Sequence, residues 1–455
     1  YRAALPFVAA PPGVLRAGSE AQLRQAIAAA NAAGQMPTIE LTADVTLRAA
    51  LPPLDTPGAG VATLDGQGHT IDGGGHGPIL TVALATTVVI DDLTLSNGQT
   101  DDCGGAILVY GALTLRHSAL RDSHANHGGG LCLLSEDGGA AARLEASTVT
   151  GNTAGDGGGL YARSNGGSVS LRVVDSTVSG NRAVGHYGGG IFAYASTGSA
   201  GVTLLRSTVS FNSAPIGAGL FNLGEPDPAP VRSSTAFAVA VIDTSTFSGN
   251  VALDDGGAIA NYSTIWPYPD GERPESGAKA AGPARPLPPG LGFGAVYVRN
   301  STISSNSAVR GSGIFVGDWQ VYLSGTLVAG NEPGGGDCFG GVVSQGYNLD
   351  GDDTCGLHTA SDRPAADADL RLLALYPPGQ TATHALGPAS AARDRIPPGE
   401  AGCTTGATDQ RGVARPASMA ARLTTPGTRI TSPAMQAACP SAATSAASPT
   451  TQPGS

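Results

Sequence analysis

The chain has 455 residues, of which 67 are glycine and only 13% are charged, and its formal net charge is −11. This composition favours a turn-rich β protein over a helical bundle, and the negative charge argues against a nucleic-acid partner because phosphates would be repelled. The longest apolar run, residues 79–90, is too short and too rich in β-branched side chains to predict a membrane span.

The N-terminal residues 1–18 are predicted to form a lead strand that contains the apolar stretch ALPFVAA. This stretch has no counterpart in the repeats that follow, so a strand formed by residues 4–10 could add to the edge of an adjacent subunit. A head-to-tail contact of that kind would propagate into a filament. A homo-oligomer or filament formed through the N-terminal segment is therefore one hypothesis about partners.

A single helix is predicted over residues 19–33, within a segment 19–44 that also contains the first strand. Ser19 and Gln22 have the spacing of a capping box. Three apolar side chains follow at helical spacing, namely Leu23, Ile27 and Ala30. We expect this helix to cover the first coil of the fold and so to hide an open sheet edge.

Residues 45–358 repeat one pattern: a glycine cluster, two alternating apolar strands and a phrase such as STVSGN. Three short strands per repeat, each pairing with its counterpart one repeat away, predict one coil of a parallel β-helix. We expect an all-β fold made of a single right-handed parallel β-helix of about nine or ten coils. Proline-rich inserts near residues 222–236 and 262–292 cannot join central strands and are predicted to be surface loops.

The repeated phrase predicts two columns of side chains along the solenoid. Its asparagines occupy one point of successive coils: Asn152, Asn181, Asn212, Asn250, Asn306 and Asn331. Asparagine tolerates turn conformations and its amide can bind the same amide in the next coil, so a structural ladder is favoured over ligand binding. Its apolar residues are expected to form a buried column: Val178, Val209, Phe247 and Ile303.

An aromatic column is predicted on the outside of the solenoid. Alignment of the strands on their first aliphatic residue places four aromatic residues together, with Ala260 as an interruption: Tyr161, Phe192, Phe221 and Phe315. If the preceding aliphatic residues point inward, period-two alternation turns these rings outward. The column is then either a sugar- or partner-binding face or a surface covered by one of the inserts.

One acidic turn is a candidate metal site. The stretch DGDDT places Asp350, Asp352 and Asp353 close together, and their oxygens could hold calcium. An ordinary aspartate-rich turn is the favoured interpretation, because such turns are common. We therefore expect neither a metal ion nor another cofactor.

Several motifs carry a resemblance to a known group of proteins. TLDGQGHTIDG, GGAILVYGALTL and the STVSGN repeats resemble right-handed parallel β-helix proteins with polymorphic outer-membrane-protein-type repeats, found on or outside bacterial cells. Residues 337–357 and 403–416 resemble the C-terminal part of choice-of-anchor Q proteins. The resemblance covers residues 15–416 and delimits an anchor-Q-like segment, 359–416. An Ala/Ser/Thr/Pro-rich tail, 417–455, follows it.

The resemblance also implies an exported protein, secreted or on the cell surface, in which Cys338 pairs with Cys355. Six cysteines are consistent with an oxidising compartment. The remaining pair near the C-terminus is Cys403 with Cys439. Two further cysteines, Cys103 and Cys132, lie about five residues out of register in neighbouring coils, so their pairing stays open.

The predicted function is that of a structural or adhesive surface protein that is not an enzyme, with a carbohydrate or cell-surface ligand. The alternative is a carbohydrate-active enzyme, a lyase or hydrolase of acidic polysaccharide. Such an enzyme needs carboxylates or arginines that converge in one exposed groove. Candidate carboxylate pairs are Asp91 and Asp92, Asp101 and Asp102, Asp254 and Asp255, and Asp352 and Asp353.

Overall fold

The computed structural model describes residues 13–415 apart from a few short gaps and two longer ones. The gaps are 34–37, 57, 59, 137, 226–235, 263–292, 318, 398 and 405. Several predicted features therefore lie outside the described residues: the N-terminal segment 4–10, most of both inserts, the tail 417–455 and Cys439.

Parallel strands stack coil upon coil into three sheets, preceded by one helix, α1 (Glu20–Ala33). Sheet B has eleven strands, slightly more than the expected nine or ten coils: β3 (Val45–Thr46), β5 (Thr70–Asp72), β8 (Thr94–Ser96), β11 (Ala119–Arg121), β15 (Thr148–Thr150), β18 (Thr177–Ser179), β21 (Thr208–Ser210), β25 (Thr246–Ser248), β29 (Thr302–Ser304), β32 (Leu327–Val328) and β35 (Leu349–Asp350). Sheet C has five: β12 (His124–His127), β16 (Thr153–Asp156), β19 (Arg182–Ala183), β22 (Ser213–Ile216) and β26 (Val251–Asp255). The fold is a parallel β-helix, as the repeat predicts.

Sheet A has 19 strands and consists of two adjoining stacks. Stack 1 contains β1 (Val14–Ala17), β2 (Thr38–Leu41), β4 (Val61–Asp65), β7 (Thr87–Asp91), β10 (Ala112–Arg116), β14 (Gly139–Glu145), β24 (Ala236–Asp243), β28 (Phe293–Arg299), β31 (Val321–Ser324) and β34 (Val343–Ser344). Stack 2 contains β6 (Leu80–Val82), β9 (Ile107–Val109), β13 (Leu131–Ser135), β23 (Leu220–Gly224), β27 (Ile259–Tyr262), β30 (Ile314–Val316) and β33 (Cys338–Phe339). Two long strands run through both stacks: β17 (Leu160–Val174) and β20 (Ile191–Leu205).

The hydrophobic core fills the inside of the solenoid. Val178, Val209, Phe247 and Ile303 are paired in register on successive strands of sheet B, and all four are fully buried. Parallel pairing without a register shift places equivalent side chains directly above one another. The repeated phrase thus builds one continuous apolar column.

The asparagines form a ladder beside this column. Each described ladder asparagine, from Asn152 to Asn306, donates from Nδ2 to Oδ1 of the next one, at distances of 2.8 to 3.0 Å. The same Oδ1 atoms also accept the backbone N–H of the preceding asparagine, as in the bond from Asn181 to Asn212. All six asparagines are buried, so the ladder satisfies polar groups that would otherwise be costly inside the fold.

Helix α1 packs against β1 and β2 at the N-terminal end of the solenoid. The Ser19 hydroxyl accepts the backbone N–H of Gln22 at 3.4 Å, and the Gln22 side chain accepts the N–H of Gly18 at 2.9 Å. Leu23 and Ile27 are buried in the main core. Through these contacts the helix covers the first coil.

Residues 363–415 fold back over the outward face of sheet B, and they include the antiparallel pair β36 (Ala374–Leu375) and β37 (Ala382–Thr383). The Thr246 hydroxyl donates to the side-chain oxygen of Gln410 at 2.7 Å, and His384 Nε2 lies 2.9 Å from Ser248 Oγ. The outward hydroxyl side chains of β21, β25 and β29 are consequently buried, whereas those of β15 and β18 are partly exposed.

Candidate functional site

The candidate functional site is the outward face of stack 2, which we call the aromatic face. Strand pairing aligns eight outward residues, the inner column: Leu108, Cys132, Tyr161, Phe192, Phe221, Ala260, Phe315 and Phe339. The neighbouring aliphatic residues, such as Leu160, point into the main core. Period-two alternation therefore turns the aromatic column outward, as the sequence predicts.

The four aromatic residues predicted for this face are buried. Tyr161 and Phe192 are each 3% exposed, Phe221 is 1% exposed and Phe315 is 5% exposed. The prediction that these four rings form a ligand-binding surface is therefore wrong. The other interpretation, a cover formed by an insert, concerns residues outside the described part of the chain.

The glycine clusters explain why the rings are buried. Gly188 has a positive φ of 67°, and a Cβ placed on it would lie 2.7 Å from Cβ of Phe192. Glycine lets the corner of the coil pass directly against the aromatic column, which any side chain would prevent. Tyr187, just before this glycine, stacks on Phe221 with ring centroids 4.5 Å apart. The corner residues therefore cover the inner column.

The buried rings contact one another from coil to coil. Tyr161 meets Phe192 edge-on with centroids 5.2 Å apart, and Phe192 meets Phe221 in the same way at 5.2 Å. His127 stacks on Tyr161 at 5.0 Å. Edge-to-face and offset contacts of this kind stabilise beyond simple burial. The inner column thus acts as a second hydrophobic core outside the solenoid wall.

A second outward column lies two residues further along the same strands. This outer column consists of Tyr110, Leu134, Arg163, Tyr194, Leu223 and Tyr262. All of its members except Leu223 are partly exposed. The sequence analysis missed this column, although the alternation that identified Tyr161 also turns Arg163 outward. The outer column is the part of the aromatic face that a partner can reach.

Polar groups are set among the rings of the outer column. The Tyr194 hydroxyl donates to Glu225 Oε2 at 2.7 Å, and the guanidinium carbon of Arg163 lies 5.6 Å from the centroid of the Tyr194 ring. Burial, together with the hydrogen bond to Glu225, raises the pKa of Tyr194 above its usual range. Tyr194 therefore stays a neutral hydrogen-bond donor at physiological pH.

A charged cluster occupies the C-terminal part of the face. Arg310 binds both carboxylate oxygens of Asp255, at 2.6 and 2.7 Å, and the Tyr262 hydroxyl donates to the same carboxylate at 2.7 Å. The Arg310 guanidinium also lies 5.0 Å from the Phe315 ring centroid. Bidentate pairing fixes the orientation of the arginine. Asp255, which belongs to one of the candidate carboxylate pairs, thus forms an ion pair with Arg310.

A disulfide closes the N-terminal end of the inner column. Cys103 and Cys132 are bonded, with Cα atoms 5.6 Å apart. Cys132 pairs in register with Leu108, so the five-residue offset from Cys103 noted in the sequence is real. The bond forms because Cys103 lies in the corner before the strand, next to His127 of the following coil.

The cysteines near the C-terminal end are also bonded. Cys338 and Cys355 form the disulfide that the resemblance implies. Cys403 is also disulfide-bonded, and its predicted partner, Cys439, lies outside the described residues. This bond pattern agrees with an oxidising compartment.

The acidic turn belongs to a cluster of three aspartates. Asp337, Asp350 and Asp352 each offer a carboxylate oxygen within 4.8 Å of the others, whereas Asp353 is not part of this group. Of the three predicted residues, Asp353 therefore lies outside the group, and Asp337, which precedes the predicted turn, takes its place. Three converging carboxylates could hold a hard cation such as calcium. Within the cluster the oxygens also accept backbone N–H groups, including Gly351 N to Asp337 at 3.0 Å.

Burial of these carboxyl groups changes their protonation. Burial raises the pKa of Asp350 to about 7, and burial also raises the pKa of Asp337. Burial acts on Asp352 in the same direction, but hydrogen bonds from Thr354 and from the Asp337 amide lower its pKa overall. Asp350 is therefore the group that holds a proton near neutral pH, which reduces the repulsion within the cluster.

Two cavities contain converging charged groups. One, of about 390 Å³, borders the aspartate cluster, and its charged lining residues are Glu332, Asp337, Asp352, Asp367, Asp369 and Arg371. The other, of about 310 Å³, lies at the N-terminal end of sheet B and is lined by Asp44, Asp72, Asp122 and Arg121. Carboxylates near an arginine are what the enzyme alternative requires.

Comparison with known proteins gives one local match. A model of the Chlamydia polymorphic membrane protein (Chlamydia_PMP) repeat matches residues 244–262. These residues contain β25, β26 and β27, which form most of one coil. Comparisons with curated proteins and with solved structures found no match. The matched repeat suggests a bacterial surface or outer-membrane protein.

No helix in the described part of the chain has the length and apolar character that crossing a bilayer as a helix requires.

Proposed function

We propose that this chain is a bacterial cell-surface protein that recognises a partner through its aromatic face and does not catalyse a reaction. Support comes from the repeat match, from the disulfides and from the form of this face. The β-helix supplies a long, stiff support, and the site is built on strands rather than on loops alone.

The observation that carries this proposal is the pairing of two columns. Tyr110, Arg163 and Tyr194 are partly exposed, and they lie beside the inner-column rings from Tyr161 to Phe315, which are almost completely buried. Aromatic and arginine side chains dominate binding energy in protein interfaces, above all where neighbouring groups hold them in place. The outer column therefore has the composition and the support of a binding surface.

Adhesion of protein-coated beads to cultured epithelial cells tests this proposal. Tyr194→Ala removes a partly exposed ring from the outer column and is expected to reduce bead retention at least about fivefold, as the loss of an interface anchor does. Tyr322→Ala is the matched control, because Tyr322 is also a partly buried tyrosine, stacked on Tyr297 at 4.8 Å in stack 1. Equal retention of both variants and of the wild type would contradict the proposal.

A carbohydrate-active enzyme is the second candidate function. The two acidic cavities favour it, since each brings several carboxylates close to an arginine. Incubation with acidic polysaccharides would test it by the release of reducing ends or by the ultraviolet absorbance of unsaturated uronates. Release of either product, abolished by Asp122→Asn or by Asp367→Asn, would replace the adhesive proposal with an enzymatic one.

Self-assembly through residues 4–10 is a separate proposal. The described part of the lead, β1, pairs with β2 of its own chain and so continues the sheet of one molecule. Deletion of residues 4–10 is expected to abolish polymer formation and to preserve the β-rich circular dichroism spectrum. A truncated chain that still polymerises would refute this contact.

A further inference from the structure

Arg163 differs from the other partly buried arginines of the solenoid because it has no carboxylate partner among the described residues. It lies on β17 in the outer column, between Leu134 and Tyr194 of the neighbouring coils. Its Nε atom is buried and has no hydrogen-bond partner in the described part of the chain. The guanidinium carbon lies 5.6 Å from the centroid of the Tyr194 ring, and the side chain also interacts with the Tyr161 hydroxyl.

Two comparable arginines of the solenoid are paired with carboxylates. Arg206 binds Asp175 through two hydrogen bonds of 2.7 Å, and Arg310 binds Asp255 in the same bidentate manner. Removing a guanidinium from water without an anion is unfavourable, and contact with one aromatic ring offsets only part of that cost. Arg163 therefore has unused capacity to bind an oxyanion.

The surroundings of Arg163 favour a sugar as the carrier of that anion. The Tyr161 hydroxyl is close enough for the Arg163 charge to lower its pKa, against the larger effect of burial. Partly exposed rings offer flat apolar surfaces, while the Glu225 carboxylate can accept hydroxyl groups.

We propose that Arg163 binds the carboxylate or sulfate group of an acidic saccharide that lies along the outer column. This inference rests on the proposed function, and it names the ligand class for that same face. The guanidinium donates two parallel hydrogen bonds to the oxyanion, the geometry for which arginine is suited and lysine is not. The Glu225 carboxylate accepts hydrogen bonds from the sugar hydroxyl groups, and the tyrosine rings pack against the apolar side of the sugar.

Isothermal titration calorimetry with three defined probes tests this assignment. The probes are trigalacturonate, a sulfated trisaccharide and the uncharged trisaccharide maltotriose. Arg163→Gln is expected to weaken binding of the preferred acidic probe at least about tenfold, and Arg163→Lys is expected to weaken it less. Glu225→Gln is expected to strengthen it about two- to fivefold, because glutamine keeps an acceptor oxygen for the sugar hydroxyl groups and removes a nearby like charge.

Arg172→Gln is the matched control. Arg172 is an exposed arginine on the same strand, β17, but it lies in stack 1 and outside the aromatic face. This variant is expected to bind the acidic probe as the wild type does. Melting curves of all variants establish that each one is folded before its affinity is compared.

Three results would overturn the assignment. Equal losses in Arg163→Gln and Arg172→Gln would indicate unspecific charge attraction. If maltotriose bound as tightly as the acidic probes, the anion would have no role in binding. If an oligoglutamate peptide competed fully with the acidic probe, the ligand would be a peptide and not a saccharide. In each of these cases the adhesion experiment with Tyr194→Ala still decides the proposed function separately.

Discussion

The asparagine ladder allows the stability of a single rung to be measured. The Asn212 side chain accepts two hydrogen bonds from Asn181, from its backbone N and from Nδ2, at 3.0 Å each. It donates to the carbonyl of Val178 at 3.0 Å and to Asn250 Oδ1 at 2.9 Å. Asn212→Ala removes all four bonds in a fully buried place. At a net value of about 1 kcal/mol per bond, the expected loss is about 4 kcal/mol.

This loss should be local, because each coil of a solenoid contacts only its neighbours. Native-state hydrogen exchange is the appropriate assay. The Asn181 amide loses its acceptor and should exchange up to about a thousandfold faster, as about 4 kcal/mol implies. The Asn306 amide, bonded to Asn331 Oδ1, should keep its protection.

Asn126→Ala is the matched control for the ladder. Asn126 lies in sheet C, and its side chain is exposed. A surface change of this kind is expected to alter the free energy of unfolding by less than about 0.5 kcal/mol. The reasoning would be refuted if Asn212→Ala had the unfolding midpoint of the wild type and left protection of the Asn181 amide unchanged.

Three further changes test the core, the acidic cluster and the C-terminal disulfide. Val209→Asp places a carboxylate without a partner in the fully buried column and should unfold at least the adjoining coils. Val184→Asp is the control, because Val184 is 51% exposed, and this variant should melt as the wild type does. Because the pKa of Asp350 is raised from 3.8 to about 7, its contribution to stability is complete below pH 3.8 and is lost as the pH rises to about 7. Asp350→Asn should therefore flatten the decline of the melting temperature over this pH range, and an unchanged slope would contradict the assignment. Replacement of both Cys338 and Cys355 by serine opens a loop with a sequence separation of 17 and should cost about 3 kcal/mol in urea unfolding.

The sequence predicts those features that repeat from coil to coil. The inward column that includes Val209 and the ladder that includes Asn212 both follow from one periodic phrase. Because the strands pair in parallel and in register, residues that recur at the same point of the phrase lie above one another in the structure. The same reasoning turns Tyr161 outward. It does not reveal that Tyr161 is covered, because the cover comes from His127, which stacks on Tyr161 just before Gly128, a glycine with positive φ.

The irregular parts could not be predicted from the repeat. Gln410 binds Thr208 with its side chain, although the two residues are 202 positions apart. Nothing in a local pattern indicates that the segment after the last coil returns over sheet B. Asp337 joins Asp350 and Asp352 for the same reason: the contact arises where the regular coils end and the chain changes direction.

The end of the ladder shows how one change of side chain links the regular fold to the acidic cluster. Asp337 occupies the place of the next asparagine, since its Oδ1 accepts both the backbone N and Nδ2 of Asn331, at 3.1 and 2.7 Å. An ionised carboxylate can accept these bonds, but it has no hydrogen to donate to a further rung. Its second oxygen instead accepts the N–H of Gly351, next to Asp350 and Asp352. The ladder therefore ends at the first position where aspartate replaces asparagine, and the acceptor that ends it also contributes to the crowding that raises the pKa of Asp350.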